Sequence, residues 1–121
     1  MSQIAPARTF GFLEQQRAML NMGLIRGATR ESCIVLTNQG LDNPPLRYKD
    51  EFVRHKILDL IGDLALFGRR ILGYVKADRA GHAMHTAIVS RILRDQTYWD
   101  EVTLDESTAL QSPEEHLAVA D

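Results

Sequence analysis

The sequence has only one cysteine, Cys33, so it cannot form an internal disulfide, and this fits a reducing environment such as the cytoplasm. It also has no apolar run near the ~20 residues of a membrane span, because Asp59, Gly62 and Asp63 interrupt the stretch 57–67. The N-terminus lacks a basic segment followed by an apolar one, which is the pattern of a secretory signal. We therefore expect one globular, cytoplasmic domain without a membrane span.

Basic residues are absent from residues 95–121, which contain eight Asp and Glu. Residues 1–94 hold all 14 Lys and Arg beside the other eight acids, a net charge of +6. A basic body can attract anions, but no basic repeat interleaved with aromatic residues favours nucleic acid, and an ordinary mixed surface is the simpler interpretation. The acidic segment 95–121 has no sustained apolar pattern and predicts a flexible tail after a domain at 3–94.

Hydrophobic periodicity and turn residues predict three helices and three strands or extended segments. Strands are expected at 4–12, 33–37 and 71–77, and helices at 13–22, 50–67 and 82–94. Residues 38–46 are rich in Asn, Gly and Pro and predict a loop. Asp50 is a candidate N-cap of the central helix, and Gly68 is a candidate stop.

The central helix is predicted to carry an imidazole and two carboxylates on one face. His55, Asp59 and Asp63 follow one another at i, i+4 steps, which places them within roughly 80° of arc. Imidazole and carboxylate together suit zinc, so the spacing predicts half of a metal site. The alternative is a solvated polar face, since this spacing often arises by chance. An apolar stripe predicted to be core lies opposite, formed by Val53, Ile57, Leu60, Ile61 and Leu64.

A second candidate feature is the pair Gly81-His82, in the turn before the last predicted helix. Glycine allows the backbone to come close to a ligand, and a histidine can exchange protons near neutral pH. A lone histidine in a loop is more often structural, so the pair alone is weak evidence. His85 and His116 have no supporting context and receive no predicted role.

Several segments together closely resemble the zinc-dependent UDP-3-O-acyl-N-acetylglucosamine deacetylases of lipid A synthesis. They are Ala-Arg-Thr-Phe at 7–10, Leu-Arg-Tyr at 46–48, the run 50–64 and Gly-His at 81–82. The run 50–64 is the most specific, and the resemblance covers roughly residues 3–94. It implies an α+β fold, a two-layer sandwich of helices on a small sheet, which would be an incomplete second domain of this two-domain family.

The resemblance implies catalytic roles for particular residues. His55 and Asp59 would be two of three zinc ligands. Asp63 would orient His82, which would be the charged or proton-donating histidine of amide hydrolysis. Thr9 would help to hold the oxyanion of the tetrahedral intermediate.

The resemblance also implies substrate contacts. Lys56 would contact the nucleotide-sugar substrate, and Phe10 would line the sugar pocket. The apolar passage for the fatty acyl chain would be lined by Phe12, Ile25, Cys33 and Val35.

In the resembled family, which we expect to be about twice this length, the third zinc ligand and the catalytic glutamate come from a first domain that has no counterpart here. We therefore expect this chain alone to be inactive, and to need the missing N-terminal region as a separate chain or to self-associate. The resemblance also implies that the opening strands of the second domain are missing, which would leave Ile57, Leu60 and Leu64 exposed. The alternatives are a non-catalytic fragment or interaction module derived from the enzyme, and a small metal sensor, which would not explain Ala-Arg-Thr-Phe.

Overall fold

The computed structural model describes residues 2–42 and 45–103. Its elements, in chain order, are β1 (Thr9–Phe12), α1 (Leu13–Asn21), β2 (Cys33–Thr37), β3 (Gly40–Leu41), α2 (Glu51–Ala65), α3 (His82–Arg94) and a 3-10 turn (Gln96–Tyr98). Helices packed with a small sheet confirm the predicted α+β class. None of the helices in the described part of the chain is both long and apolar enough to cross a bilayer.

The sheet has the strand order β1-β2-β3. β1 and β2 are parallel, with Thr9 opposite Cys33, and α1 supplies the crossover that a parallel pair requires. Ile34, in the central strand, is completely buried. β3 lies in the segment predicted to be a loop, where it pairs antiparallel to β2 with Leu41 opposite Leu36. The prediction missed β3 because a two-residue strand has no periodicity of its own.

Helix α2 contacts the sheet through an aromatic pair and leaves much of its apolar stripe in solvent. The rings of Phe10 and Phe52 meet edge to face at 4.8 Å between centroids. Val53, Ile57 and Ile61 are 60%, 40% and 46% exposed, so the prediction that the stripe is core is wrong for these three side chains. The sheet is too small to cover them, and the exposure expected for Ile57 is confirmed, whereas Leu60 and Leu64 are half-buried.

The beginning of α2 differs in detail from the predicted cap. Asp50 occupies the N-cap position, but its side chain makes no capping hydrogen bond to the backbone. Its carboxylate instead accepts a hydrogen bond from Arg54 Nε at 2.7 Å, an i, i+4 ion pair. After Ala65 the chain leaves the helix through Gly68, whose φ of +77° favours glycine, as the predicted stop requires.

The strand predicted at 71–77 does not form, since this segment lies outside the three-stranded sheet. Its larger apolar side chains are exposed, with Leu72 at 65% and Tyr74 at 90%. A strand needs a neighbouring strand to accept and donate ladder hydrogen bonds. The composition of 71–77 suits a strand, but the described chain offers it no partner.

The first residues of the predicted tail dock against the helices. The rings of Trp99 and Phe67 meet edge to face at 5.3 Å, and Trp99 Nε1 donates to the Ile92 carbonyl at 3.0 Å. Arg91 donates to the Tyr98 hydroxyl at 2.8 Å. Residues 104–121 lie outside the described part of the chain, and flexibility there remains a prediction.

Candidate metal centre

His55 and Asp59 lie on one face of α2, as their spacing predicts. His55 Nε2 is 3.3 Å from Asp59 Oδ1, and the two side chains are 14% and 13% exposed. They are therefore close enough to act on one ion, yet accessible from solvent. The other carboxylate oxygen of Asp59 accepts a hydrogen bond from Lys56 Nζ at 2.6 Å.

A backbone carbonyl fixes the orientation of the His55 ring. His55 Nδ1 is 3.1 Å from the oxygen of Ala7, and because a carbonyl can only accept, we assign the proton to Nδ1. In the neutral ring, Nε2 then presents a lone pair toward Asp59. Two acceptors at 3.3 Å require a shared proton or cation between them.

This donor set fits zinc. Zinc bound at about 2.0–2.2 Å to nitrogen and oxygen in a tetrahedral arrangement separates neighbouring ligand atoms by about 3.3–3.5 Å. The observed separation of 3.3 Å lies within that range. The Ala7 carbonyl is also the kind of outer partner that commonly fixes the tautomer of a metal-bound histidine.

A buried ion pair holds the peptide that orients His55. Glu51 is completely buried, and its carboxylate accepts from Arg8 Nε at 2.8 Å and from the Arg8 backbone N–H at 3.0 Å. Arg8 Nη2 donates a third bond, to Oε2 at 3.0 Å, and the Arg47 backbone N–H donates a fourth at 2.6 Å. Hydrogen bonding from Arg8 lowers the pKa of Glu51 to about 2 and raises the pKa of Arg8. The pair fixes the Ala7–Arg8 peptide, yet the sequence analysis gave neither residue a role.

One turn beyond Asp59 on α2, Asp63 contacts two histidines of α3. Asp63 Oδ2 is 2.7 Å from His82 Nδ1 and 2.8 Å from His85 Nδ1. The hydrogen bond from His85 has the largest effect on the pKa of Asp63 and lowers it below its usual range. The hydrogen bond from His82 acts in the same direction, whereas partial burial of the carboxylate acts in the opposite one. His82 Nε2 lies 3.9 Å from Asp59 Oδ2, so this cluster borders the candidate zinc site.

The sequence analysis missed His85. The available signal was its spacing, since His82 and His85 are three positions apart on a helix that begins after Gly81 and therefore share a face. His85 is buried, with only 5% of its side chain exposed, whereas 65% of the His82 side chain is exposed.

Phe10 and Lys56, the predicted substrate contacts, lie beside His55 and Asp59. The rings of Phe10 and His55 are 6.1 Å apart, and Lys56 Nζ is 5.5 Å from the Phe10 ring centroid. The structure thus brings these two residues, His55 and Asp59 together. Thr9 is exposed at the start of β1, one residue before Phe10.

The four residues predicted to line the acyl passage divide between core and surface. Cys33 and Val35 are buried in β2, whereas Phe12 and Ile25 are 49% and 36% exposed. Burial raises the pKa of the Cys33 thiol, which suits a core position rather than a nucleophile. Ile25 adopts a φ of +48°, a strained conformation for a β-branched residue.

We expect the isolated chain to bind Zn²⁺ weakly, because a catalytic zinc normally has three protein ligands and His55 and Asp59 supply two. Competition with a zinc indicator dye measures this affinity, which should fall well below that of a complete family enzyme. It should fall further in His55→Ala and stay unchanged in His116→Ala. Tight one-to-one binding that survives His55→Ala would contradict the assignment of this site.

Comparisons with known proteins identify the family. The family model described as "LpxC: UDP-3-O-acyl N-acetylglycosamine deacetylase" matches residues 1–94. The UDP-3-O-acyl-N-acetylglucosamine deacetylase of Solibacter usitatus is 53% identical over 106 residues, covering 87% of this chain and 36% of the relative. The deacetylase of Syntrophotalea carbinolica is 43% identical over 88% of this chain and 35% of the relative. That of Myxococcus xanthus is 45% identical over 83% and 32%.

The chain spans about a third of the length of these curated relatives, a smaller share than the half expected from the resemblance. The matched region contains His55 and Asp59, the cluster of Asp63 with His82 and His85, and the residues beside them. With a family model that covers residues 1–94 of 121, the chain belongs to the UDP-3-O-acyl N-acetylglycosamine deacetylase family.

Proposed function

We propose that this chain carries the zinc-binding pair and the proton-donating histidine of a UDP-3-O-acyl-N-acetylglucosamine deacetylase of lipid A synthesis. The proposal rests on the orientation of His55. Its Nε2 faces Asp59 Oδ1 at 3.3 Å, while its Nδ1 is hydrogen-bonded to the carbonyl oxygen of Ala7. Zinc held by His55 and Asp59 would supply Lewis-acid activation of water and of the acetamide carbonyl.

His82 is placed to protonate the leaving amine. Its Nδ1 is hydrogen-bonded to Asp63. The other ring nitrogen, Nε2, therefore faces the proposed zinc ligands and lies 3.9 Å from Asp59 Oδ2. When the ring carries both protons, Nε2 can give one to the departing nitrogen while Asp63 stays hydrogen-bonded to Nδ1. Thr9, exposed before Phe10, would help to hold the oxyanion.

Lys56 and Phe10 would hold the nucleotide sugar. The Lys56 ammonium group, 5.5 Å from the centroid of the half-buried Phe10 ring, offers a positive charge for a diphosphate, and the ring offers an apolar surface for a sugar. The family's acyl chain would run along Phe12 and Ile25 on the surface toward Cys33 and Val35 below it. The single buried thiol of Cys33 suits the reducing cytoplasm, where we place the reaction.

The rest of the machinery would come from protein outside these 121 residues, either a further part of the same polypeptide or a second chain. The chain spans about a third of its relatives' length, and the proposed reaction also needs a third zinc ligand and a general base. The exposed apolar side chains of α2, Val53, Ile57 and Ile61, offer a surface for a second polypeptide or a second copy of this chain.

The direct test measures acetate release from UDP-3-O-acyl-N-acetylglucosamine. We expect no turnover by the purified chain, and zinc-dependent turnover after addition of the portion of the Solibacter usitatus relative that this chain does not match. Size-exclusion chromatography reports whether the two polypeptides associate. Association without turnover would favour the alternative of a non-catalytic interaction module, and robust turnover by this chain alone would contradict the proposed division of roles.

A further inference from the structure

His85 is a buried imidazole that the proposed reaction does not use. It is one of two buried residues of α3, the other being Val89, and only 5% of its side chain is exposed. Its Nδ1 lies 2.8 Å from Asp63 Oδ2, the same oxygen that His82 contacts at 2.7 Å. One carboxylate oxygen therefore serves two imidazole rings.

The distances identify the contacts as hydrogen bonds. An ionised carboxylate only accepts, so both imidazole Nδ1 atoms carry a proton directed at Oδ2. The rings lie 6.3 Å apart at 77° to one another and so approach the oxygen from two directions. A metal bound to Oδ2 and to both Nδ1 atoms would need these nitrogens unprotonated and the ligand atoms about 3.3–3.5 Å apart. The observed 2.7 and 2.8 Å are shorter and fall in the hydrogen-bond range.

The two histidines differ in what fixes them. His82 is 65% exposed and its ring has little packing to hold it, whereas His85 is enclosed between α2 and α3. A carboxylate held only by an exposed ring can rotate about its own side-chain bonds. The buried ring of His85 removes that freedom by binding Oδ2 from the interior side.

We propose that His85 is a positioning residue that fixes Asp63 Oδ2, so that His82 is held with its proton on Nδ1 and its Nε2 toward the metal pair. The proposal rests on the proposed function only in naming His82 as the proton donor. The arrangement itself is a property of three side chains in this chain and can be measured without substrate, zinc or partner.

The test is the tautomer of His82, read from ¹⁵N–¹H correlation spectra of the histidine rings in the full-length ¹⁵N-labelled chain. The informative pair is His85→Asn and His85→Gln. The amide nitrogen of Asn is bonded to Cγ, as Nδ1 is, and can donate from nearly the same place, whereas that of Gln lies one carbon farther out. His85→Leu removes the donor altogether, and Met84→Leu, at an exposed neighbour, is the control.

We expect His82 to show the Nδ1-protonated tautomer in the wild-type chain, in Met84→Leu and in His85→Asn. In His85→Gln and His85→Leu, that single tautomer should be lost to a mixture of both. If the leucine variant does not fold, the comparison of His85→Asn with His85→Gln still shows whether His85 fixes the tautomer of His82. An unchanged His82 tautomer in His85→Gln would overturn the proposal.

Addition of Zn²⁺ provides a second test of the positioning role. If one equivalent of Zn²⁺ removes the Nδ1 protons of His82 and His85 together, the cluster is a metal site and the positioning role is wrong. We expect added Zn²⁺ to leave the Nδ1–H signals of both rings in place. Because none of these spectra depends on turnover, a failure of the deacetylase assay would leave the result for His85 standing, and the reverse also holds.

Discussion

Glu51→Ala is expected to destabilise the fold by about 3–5 kcal/mol, because it leaves the buried Arg8 guanidinium without its counter-charge. The substitution also leaves the backbone N–H groups of Arg8 and Arg47 without the acceptor they share. Natural domains have a total stability of only about 5–15 kcal/mol, so the loss would remove a large part of it. Urea unfolding followed by circular dichroism measures the change.

Asp50→Ala is the matched control, since it removes a carboxylate from the neighbouring position of the same helix. The Asp50 side chain is 53% exposed and that of Arg54 is 20% exposed, in contrast to the completely buried Glu51, and i, i+4 pairs on helices contribute only about 0.3–0.5 kcal/mol. A similar loss of stability in both variants would mean that the burial of Glu51 has no special importance. We expect the two effects to differ several-fold.

The same ion pair should make the fold sensitive to acid. Hydrogen bonding from Arg8 lowers the pKa of Glu51 from 4.5 to about 2, so the unfolded chain takes up the proton at a higher pH than the folded one. Its contribution is therefore complete above pH 4.5 and is lost as the pH falls toward 2. A shift of this size corresponds to a loss on the order of 3 kcal/mol, and Glu51→Gln should flatten the pH dependence of urea unfolding in that range.

Burial also decides what Glu51 can do in catalysis. A general base must reach the proton it takes, directly or through one water molecule. The Glu51 carboxylate is completely buried and accepts four hydrogen bonds, three from Arg8 and one from Arg47. It therefore supports His55 through the Ala7–Arg8 peptide and does not take part in proton transfer, although it lies only four residues from His55.

Local sequence patterns predicted the elements whose formation depends on nearby residues, and failed for those that depend on a distant partner. α3 begins at His82 and ends at Arg94 as predicted, because Gly81 precedes a clear amphipathic period. The segment 71–77 has the composition of a strand, but whether a strand forms depends on a neighbour, which no local pattern reveals. The strand predicted at 4–12 is shortened to Thr9–Phe12, the part that can pair with β2.

In the candidate site, too, contacts within one helix were predictable from the sequence and contacts between distant segments were not. The spacing of His55 and Asp59 along one helix predicted that they would meet, and they do. The contacts of His55 with Ala7, and of Arg8 with Glu51, join residues more than 40 positions apart, and no spacing rule could supply them. His85 was detectable from its i, i+3 relation to His82, but the acceptor they share, Asp63, comes from a different helix.

His82→Ala is expected to reduce deacetylation by the reconstituted mixture about 10²–10⁴-fold, the usual contribution of a general acid or base. The reason is geometric, since His82 Nε2 lies 3.9 Å from Asp59 Oδ2 and 65% of the His82 side chain is exposed. Asp59→Ala should abolish activity by removing a zinc ligand, and the two losses should not add, because both residues serve one step. Steady-state acetate release measures both.

The two variants should also differ in zinc content. His82→Ala should keep the metal, because His82 is bonded to Asp63 and is not a ligand in this assignment, whereas Asp59→Ala should lose it. His116→Ala, outside the matched region 1–94, is the histidine control and should retain full activity. If His82→Ala lowered zinc content as much as Asp59→Ala did, His82 would have to be counted among the metal ligands. Another group would then have to protonate the leaving amine.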